Sequence, residues 1–286
     1  MNTPLPRLAP AALDSTLLDA LDSNSFIVAD QEVDLPCRLK LLPGADRLFI
    51  MLNGAVDRSK PLPVFARWNW GKALGGHVLA VCDPTLFLDD ELRLGWFVGN
   101  RTMDPMRALH RTVETVRGLL GIAADRMVFY GSSGGGFAAI VAAAGLPQGR
   151  AVAINPQTDI TLYYPRAVAN ITKVFAAGWT PQRCLDAYPL RWSALAAIAD
   201  ARRGDRDLRV FYAQNLVDRG HHSRHFLPFC KQVKAPPTGG LSVDATVLTH
   251  VFSSPEGHGA EPPEVVKYVV THGLPHLSQV VACEGR

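Results

Sequence analysis

A glycine-flanked serine follows a short apolar segment at residues 127–130. Gly131-Ser132-Ser133-Gly134-Gly135 matches the pattern G-x-S-x-G, with Ser133 at its centre, and an Ala-rich apolar segment begins at residue 137. The first segment is typical of a strand buried on both faces, and the second of a helix packed inside a domain. A strand that turns directly into a helix leaves no room for side chains beside the turn, which accounts for the glycines. Such a turn exposes the serine hydroxyl and points the first helical amides toward it, which suits the oxyanion of acyl transfer.

Two other interpretations of this loop are a plain Gly/Ser-rich turn and a phosphate-binding loop. The loop lacks the Gly-Lys-Ser/Thr ending of a Walker loop, and it does not match G-x-G-x-x-G. These absences weaken the nucleotide-binding interpretations. Whether an acid and a histidine follow at suitable positions decides between acyl transfer and a simple turn.

A serine hydroxyl is a weak nucleophile at neutral pH, so it requires a base within hydrogen-bond reach and a carboxylate that orients the base. Residues just beyond the carboxyl ends of neighbouring parallel strands converge on one edge of a sheet. Ser133, Asp218 and His258 each come just after a segment that we predict to be a strand. We therefore expect these three side chains to meet.

The glycine-flanked Ser133, the later Asp218 and Gly257-His258-Gly259 occur in the order serine, acid, histidine. This combination resembles the α/β-hydrolase superfamily, and the resemblance extends over most of residues 25–273. It implies Ser133 as the nucleophile and His258 as the general base and then the general acid. It also implies Asp218 as the residue that orients the imidazole and stabilises the imidazolium.

The same resemblance implies an oxyanion hole built from two backbone amides. One belongs to Gly134, and the other follows the third predicted strand, where we assign it to Ala55. Asn53 stands where the lipases and esterases with an HGG-type motif carry a histidine, so the chain departs from their pattern at this point. A fainter similarity, carried by residues 131–137 and 155–157, is to serine hydrolases encoded with bacterial surface-polysaccharide and glycoprotein-export machinery.

Several other side chains compete for the roles in such a site. Asp83 starts an Asp-Pro turn, and Asp159 and Asp244 follow their strands less directly than Asp218 does.

His250 lies inside the last predicted strand, so it is a weaker candidate for the base. Ser132, the first serine of the loop, has the wrong position in the motif and is expected to face away from the site.

Three histidines, His221, His222 and His225, follow the predicted acid. His221 and His225 are one helical turn apart, a spacing that could bind a metal ion. No cysteine and no carboxylate other than Asp218 is arranged around them, so we predict no metal site here. We expect these histidines at the surface or lining the pocket, where one of them could touch the substrate.

The elements that must position these residues alternate between strands and helices. Because each predicted strand is a continuous apolar run, the pattern predicts a mainly parallel sheet with helices on both faces, the α/β-hydrolase fold. We expect an N-terminal segment at residues 1–24 and a single domain at 25–286. Residues 157–205 interrupt the alternation with Ala-rich helical segments and aromatic residues, which predicts a helical lid or, alternatively, extra structural helices.

The composition indicates a globular protein with a large core, since 48% of the residues are hydrophobic and 19% are charged. A net charge of +3, without a basic block interleaved with aromatics, argues against a nucleic-acid partner. No apolar run approaches the roughly 18 residues of a membrane span. The five cysteines are scattered and odd in number, which favours reduced thiols and a cytoplasmic location.

The function predicted from these residues is hydrolysis of a carboxylic ester through an acyl-enzyme, with no cofactor. The substrate is a small-molecule or glycan ester, because Trp and Tyr in the insertion suit either an apolar acyl chain or a sugar ring. One alternative is an acyltransferase that uses the same three residues to acylate a sugar or amine. A second alternative is a non-catalytic binding protein on a hydrolase fold. The oligomeric state does not follow from the sequence.

Overall fold

The computed structural model describes residues 4–30, 33–259 and 261–279. Their centre is a ten-stranded sheet in the order β1-β2-β3-β5-β4-β6-β7-β8-β10-β9. The strands are β1 (Arg7–Leu8), β2 (Ser25–Asp30), β3 (Val33–Lys40), β4 (Leu48–Leu52), β5 (His77–Val81), β6 (Met127–Ser132), β7 (Arg150–Ile154), β8 (Arg209–Asn215), β9 (Gly240–Leu241) and β10 (Val247–Phe252).

The six neighbouring strands from β5 across to β10 are all parallel. Antiparallel pairs occur only toward the margins of the described sheet, where β3 pairs with β2 and β5, and β9 pairs with β10. The predicted mainly parallel sheet is therefore confirmed. The two strands that the sequence analysis did not predict, β1 and β9, have only two residues each.

Helices cover both faces of this sheet. In β4, Leu48, Ile50 and Leu52 join the core under helices α3, α4 and α8, whereas Phe49 and Met51 join the core under α11 and α12. This alternation is the expected consequence of the two-residue period of a strand. The helices are α1 (Ser15–Ala20), α2 (Gly71–Leu74), α3 (Pro105–Leu119), α4 (Gly134–Ala144), α5 (Pro165–Phe175), α6 (Pro181–Ala187), α7 (Pro189–Trp192), α8 (Ala194–Arg203), α9 (Arg219–His221), α10 (Leu227–Val233), α11 (Pro263–Tyr268) and α12 (Leu274–Leu277).

The segment at residues 157–205 contains four helices, α5 to α8. Helix α8 packs against α4, the helix that follows Ser133. Phe175 and Trp192 pack edge to face in the interior, with ring centroids 5.3 Å apart, while Tyr164 is exposed. The segment therefore adds to the core at one end and presents aromatic surface at the other.

Cys37, Cys82, Cys184 and Cys230 are free thiols, and all four are buried. Cys283, which the sequence analysis counted with them, lies outside the described residues. Within the described ranges, no helix combines the length and the apolar character that crossing a bilayer requires.

Candidate active site

Ser133 occupies the sharp turn between β6 and α4. Its backbone has φ 54° and ψ −125°, a left-handed conformation that is strained for a residue with a side chain. The flanking glycines permit this turn. A Cβ on Gly131 would lie 2.2 Å from the carbonyl of Gly135, and a Cβ on Gly135 would lie 2.3 Å from the carbonyl oxygen of Leu52. The strand, the helix and the neighbouring strand β4 therefore approach too closely for any residue but glycine.

The structure brings Ser133, His258 and Asp218 together in one chain of hydrogen bonds. The Oγ of Ser133 lies 2.8 Å from Nε2 of His258, and Nδ1 of His258 lies 2.6 Å from Oδ2 of Asp218. The three residues follow β6, β10 and β8, which lie within one parallel part of the sheet. Their carboxyl ends therefore share an edge, which accounts for the meeting of side chains that are 125 and 40 positions apart in sequence.

Asp218 is the N-cap of α9, and its carboxylate contacts two imidazoles rather than one. Besides His258, it lies 2.9 Å from Nδ1 of His221 and accepts a hydrogen bond from the His221 amide. Burial raises the pKa of Asp218, but the hydrogen bonds from His221 and His258 outweigh burial and hold that pKa well below its usual value. The carboxylate is therefore ionised at neutral pH.

Gln157 is the site residue to which the sequence analysis gave no role. It is fully buried, and its Nε2 lies 3.0 Å from the Oγ of Ser133 and 2.6 Å from Nε2 of His221. Its Oε1 accepts a hydrogen bond of 2.9 Å from the indole of Trp96. Its position in the sequence could have predicted it near Ser133, because Gln157 follows β7 just as Asp218 follows β8, and β7 lies between β6 and β8.

The two predicted oxyanion donors lie in the immediate surroundings of Ser133. A Cβ on Gly54 would lie 3.4 Å from the Cβ of Ser133 and 3.6 Å from the Gly134 nitrogen, so the loop after β4 passes directly beside the turn. Ala55 and Ser133 both line one cleft of about 520 Å³, which we call the serine cleft. Among the described residues, neither the Ala55 nor the Gly134 amide donates to another protein group. Ala55 is exposed at this cleft, whereas Gly134 is buried next to Ser133.

Asn53, which departs from the HGG-type motif, holds this loop in place. Its Oδ1 accepts from the Asp83 amide at 2.8 Å, and its Nδ2 donates to the Gly54 carbonyl at 2.9 Å. Asp83 in turn accepts from the amides of Thr85 and Phe97. The loop after β4 is thus linked to the turn after β5 by side-chain hydrogen bonds.

Asn215, at the end of β8, connects the segments that carry Asp218 and His258. Its Oδ1 accepts from the amide of Val217, and its Nδ2 donates to the carbonyls of Ser254 and Gly257 at 2.9 and 2.8 Å. The buried side chain of Asn215 therefore joins the turn before Asp218 to the loop before His258.

A buried ion pair borders the serine cleft. Arg67 forms a bidentate pair with Glu261, at 2.7 and 2.6 Å, and also donates to the Oγ of Ser132 at 2.8 Å. Tyr130 donates to the same carboxylate at 3.0 Å. Burial raises the pKa of Glu261, but the hydrogen bond and charge of Arg67 outweigh it and lower the pKa. Ser132 was expected to face away from the site, and this was wrong: its Oγ accepts from Arg67, and both residues line the serine cleft.

The remaining alternatives have other partners. Asp83, Asp159 and Asp244 accept hydrogen bonds from amides in their own turns, and His250 lies in β10 with its ring stacked on Tyr268 at 3.8 Å. His221 and His225 were expected at the surface or lining the pocket, but both are buried.

The spacing of His221 and His225 raised the question of a metal ion. The Nδ1 and Nε2 of His221 face Asp218 and Gln157, and the Nδ1 of His225 accepts from the Thr158 amide. Among the described residues, potential ligand atoms of Asp218, His221 and His258 lie within 4.8 Å of one another. The Nδ1 atoms of His221 and His258 already face the Asp218 carboxylate, so a metal ion would have to displace these hydrogen bonds.

The chain has the α/β-hydrolase fold, as its similarity to solved structures shows. No protein-family model matches the chain, and no curated protein sequence matches it either. Capsule O-acetyltransferase of Neisseria meningitidis serogroup A superposes with a TM-score of 0.60 and 15% identity, over 90% of this chain and 99% of that one. S-formylglutathione hydrolase from Agrobacterium tumefaciens superposes with a TM-score of 0.58 and 13% identity, over 88% and 93%.

A third similar structure is the Glycosylation Associate Protein (Gap123) complex from Streptococcus agalactiae, with a TM-score of 0.60 and 12% identity. The match covers 86% of this chain but only 44% of that one. At 12% to 15% identity these similarities concern the fold, because proteins that share a fold can differ in chemistry.

Proposed function

We propose that this protein is a serine hydrolase that cleaves carboxylic esters through an acyl-enzyme formed on Ser133. The observation that carries the proposal is the chain of short hydrogen bonds from Ser133 through His258 to Asp218, at 2.8 and 2.6 Å. A serine in a strained turn, an imidazole within reach and an ionised carboxylate behind it are the three parts that nucleophilic catalysis by serine requires.

In this mechanism the Ser133 hydroxyl attacks the ester carbonyl while its proton moves to Nε2 of His258. Asp218 stabilises the imidazolium that results. The tetrahedral intermediate then collapses, the alcohol leaves with the proton from His258, and the acyl group stays on the serine oxygen. Water attacks the acyl-enzyme by the same route, with His258 first taking and then returning the proton.

The negative charge that forms on the carbonyl oxygen requires hydrogen-bond donors in fixed positions. We assign these to the amides of Gly134 and Ala55, which lie beside Ser133 without another partner among the described groups. Gly134 opens α4, so the helix dipole adds to the stabilisation.

An acyltransferase is the second candidate, and a second cleft favours it. Ala55 lines the serine cleft and also a cleft of about 650 Å³ whose walls include Tyr163, Tyr164 and Arg166. In this candidate function the acyl donor binds in the serine cleft and the acceptor binds in the second cleft, which meets the first at Ala55. We propose that the start of the 157–205 segment acts as a lid here, because it supplies both tyrosines.

The substrate that fits these surroundings is a small-molecule or glycan ester, since tyrosines and charged groups line the second cleft. Chromatography of the products formed with sugar or amine acceptors separates transfer from hydrolysis. The buried free thiols agree with a reducing compartment, and we propose the cytoplasm as the location.

Labelling with a fluorophosphonate probe tests the proposed function. The wild-type protein should be modified at Ser133 and should hydrolyse p-nitrophenyl acetate. Ser133→Ala should not be labelled and should lose at least about 10⁴-fold in kcat. The matched control is Ser132→Ala, which should still be labelled at Ser133 because its hydroxyl bonds to Arg67 and not to His258. A folded wild-type protein that neither reacts with the probe nor hydrolyses the ester would favour the binding-protein alternative.

A further inference from the structure

The side chain of Gln157 has a single possible orientation. The Trp96 indole only donates hydrogen bonds, so the amide oxygen of Gln157 must face it, at 2.9 Å. The amide nitrogen then carries two hydrogens toward the two groups that it faces. These are the Oγ of Ser133 at 3.0 Å and Nε2 of His221 at 2.6 Å.

This orientation determines the protonation of His221. Since Nε2 of His221 accepts from Gln157, the ring proton is on Nδ1, which faces Asp218 at 2.9 Å. Burial lowers the pKa of His221 more than the hydrogen bond to Asp218 raises it, so the ring is neutral at pH 7. His221 therefore connects Gln157 to Asp218 as a neutral, singly protonated ring.

The same orientation determines the direction of the Ser133 hydroxyl. One lone pair of Oγ is taken by the N–H of Gln157, and Nε2 of His258 lies 2.8 Å away as the acceptor for the O–H. The hydrogen-bond chain thus runs without conflict from Trp96 through Gln157 to the serine. A buried network in which every member is satisfied is a rigid one.

From this geometry, and resting on the proposed function, we propose that Gln157 is a catalytic residue that stabilises negative charge on the Oγ of Ser133. During acylation the Oγ proton moves to Nε2 of His258 as the bond from oxygen to the carbonyl carbon forms. During deacylation that bond breaks, the electron pair returns to Oγ, and His258 gives the proton back. In both transition states Oγ carries more negative charge than a hydroxyl or an ester oxygen, so a donor at this atom lowers both barriers.

His221 and Trp96 are positioning residues in this proposal. Neither touches Oγ, but each bonds one end of the Gln157 amide. Without Trp96 the amide could rotate and present its oxygen to Ser133, where it could not donate. Without His221 one amide hydrogen would lose its acceptor.

Replacing Gln157 by Met tests the proposal, because Met is similar in length and donates no hydrogen bond. Gln157→Met should lower kcat for p-nitrophenyl acetate by about 10²-fold, the usual effect of removing one such donor, with KM little changed. Its rate of labelling by the fluorophosphonate should fall in parallel. The control is Gln182→Met on α6, where Gln182 is exposed and donates to Asp186. Trp96→Phe should give a smaller loss of the same kind.

A second readout does not depend on activity. Nitrogen-15 NMR of the histidine rings should show Nε2 of His221 without a proton in the wild type. Gln157→Glu replaces the donor with a carboxylate while it retains an acceptor for Trp96, so the pKa of His221 should rise and Nε2 should gain a proton. An unchanged ring proton in Gln157→Glu would overturn the contact between Gln157 and His221 on which the assigned amide orientation rests.

The outcomes separate this proposal from the proposed function. Wild-type rates in a folded Gln157→Met, or a proton on Nε2 of His221 in the wild type, would overturn the assignment of Gln157 while Ser133 keeps its role. A wild-type protein that is inert to the fluorophosphonate would overturn the catalytic role of Ser133 and, with it, that of Gln157.

Discussion

The imidazole rings of His221 and His258 lie parallel, with centroids 3.9 Å apart and 13° between their planes. Both rings direct Nδ1 at the carboxylate of Asp218, at 2.9 and 2.6 Å. Two stacked rings cannot both become cationic at little cost, because like charges so close repel strongly. The lowered pKa of His221, which is due first to burial, keeps that ring neutral. In the proposed mechanism the Asp218 carboxylate therefore stabilises positive charge on His258 alone.

This arrangement makes Asp218→Asn more disruptive than the loss of one charge. An asparagine has no negative charge and only one oxygen. If that oxygen accepts from both Nδ1 atoms as Oδ2 of Asp218 does, the NH2 group takes the place of Oδ1 and faces the His221 amide N–H, which then loses its acceptor. We expect kcat for p-nitrophenyl acetate to fall by about 10⁴-fold. Asp244→Asn is the control, since Asp244 lies in a distant turn beside Arg202. Wild-type activity in Asp218→Asn would exclude Asp218 as the acid.

The glycines of the Ser133 turn give a prediction on folding. Gly131→Ala would place a Cβ 2.2 Å from backbone atoms of Gly135, which cannot move without separating β6 from α4. We expect a loss of stability above about 4 kcal/mol, in the exceptional range for a point mutation, measured by urea unfolding. Gly118→Ala in α3 is the matched control, because nothing lies within 4 Å of its Cβ and alanine favours a helix by about 0.5–1 kcal/mol. Equal stabilities of the two variants would contradict the steric argument.

Asn215 joins the two loops that carry Asp218 and His258, so its replacement should lower activity. Asn215→Asp keeps the acceptor oxygen but removes both donors and places a carboxylate against two carbonyls. We expect kcat to fall by up to about 10²-fold through displacement of His258. Asn24→Asp is the control, because Asn24 also donates to two carbonyls but lies on the surface far along the chain. If both variants retain wild-type kcat, Asn215 does not position His258.

The ion pair between Arg67 and Glu261 is buried, with side-chain exposures of 12% and 1%. Arg67→Met would leave the Glu261 carboxylate without its cation, and we expect the free energy of unfolding to fall by about 3–5 kcal/mol. The double variant Arg67→Met/Glu261→Leu should lose less than Arg67→Met alone. The exposed pair of Arg203 with Asp200 is the comparison, and Arg203→Met should cost less than about 1 kcal/mol. Additive losses in the double variant would argue against a coupled pair.

Asp83 gives a prediction on the pH dependence of stability. Burial raises its pKa to about 6, above the ordinary value of 3.8. Between these two values the folded state binds more protons than the unfolded state, so the stabilising contribution is present at low pH and is lost as pH rises through about 6. Urea unfolding at several pH values should show the wild type losing about 3 kcal/mol relative to Asp83→Asn between pH 3.5 and pH 7. A constant difference between the two proteins would contradict the raised pKa.

Much of the fold and several site residues follow from local features of the chain. The apolar runs predict parallel strands covered on both faces, because a strand buried on both sides needs no polar alternation. The glycines around Ser133 predict the turn, since only a crowded backbone requires them. Strand ends predict that Ser133, Asp218 and His258 approach one another, because parallel strands all end at one edge of the sheet.

The contacts between distant segments depend on the tertiary structure. Arg67 and Glu261 are 194 positions apart, and Gln157 and His221 are 64 apart, so neither pair has a sequence signature. The sequence places Gln157 at the same sheet edge as Asp218. Only the packed structure gives it a function, because the direction of an amide depends on which donor lies on each side of it. Here the Trp96 indole, which lies in the segment after β5, donates to the amide oxygen of Gln157 and so determines the direction of that amide.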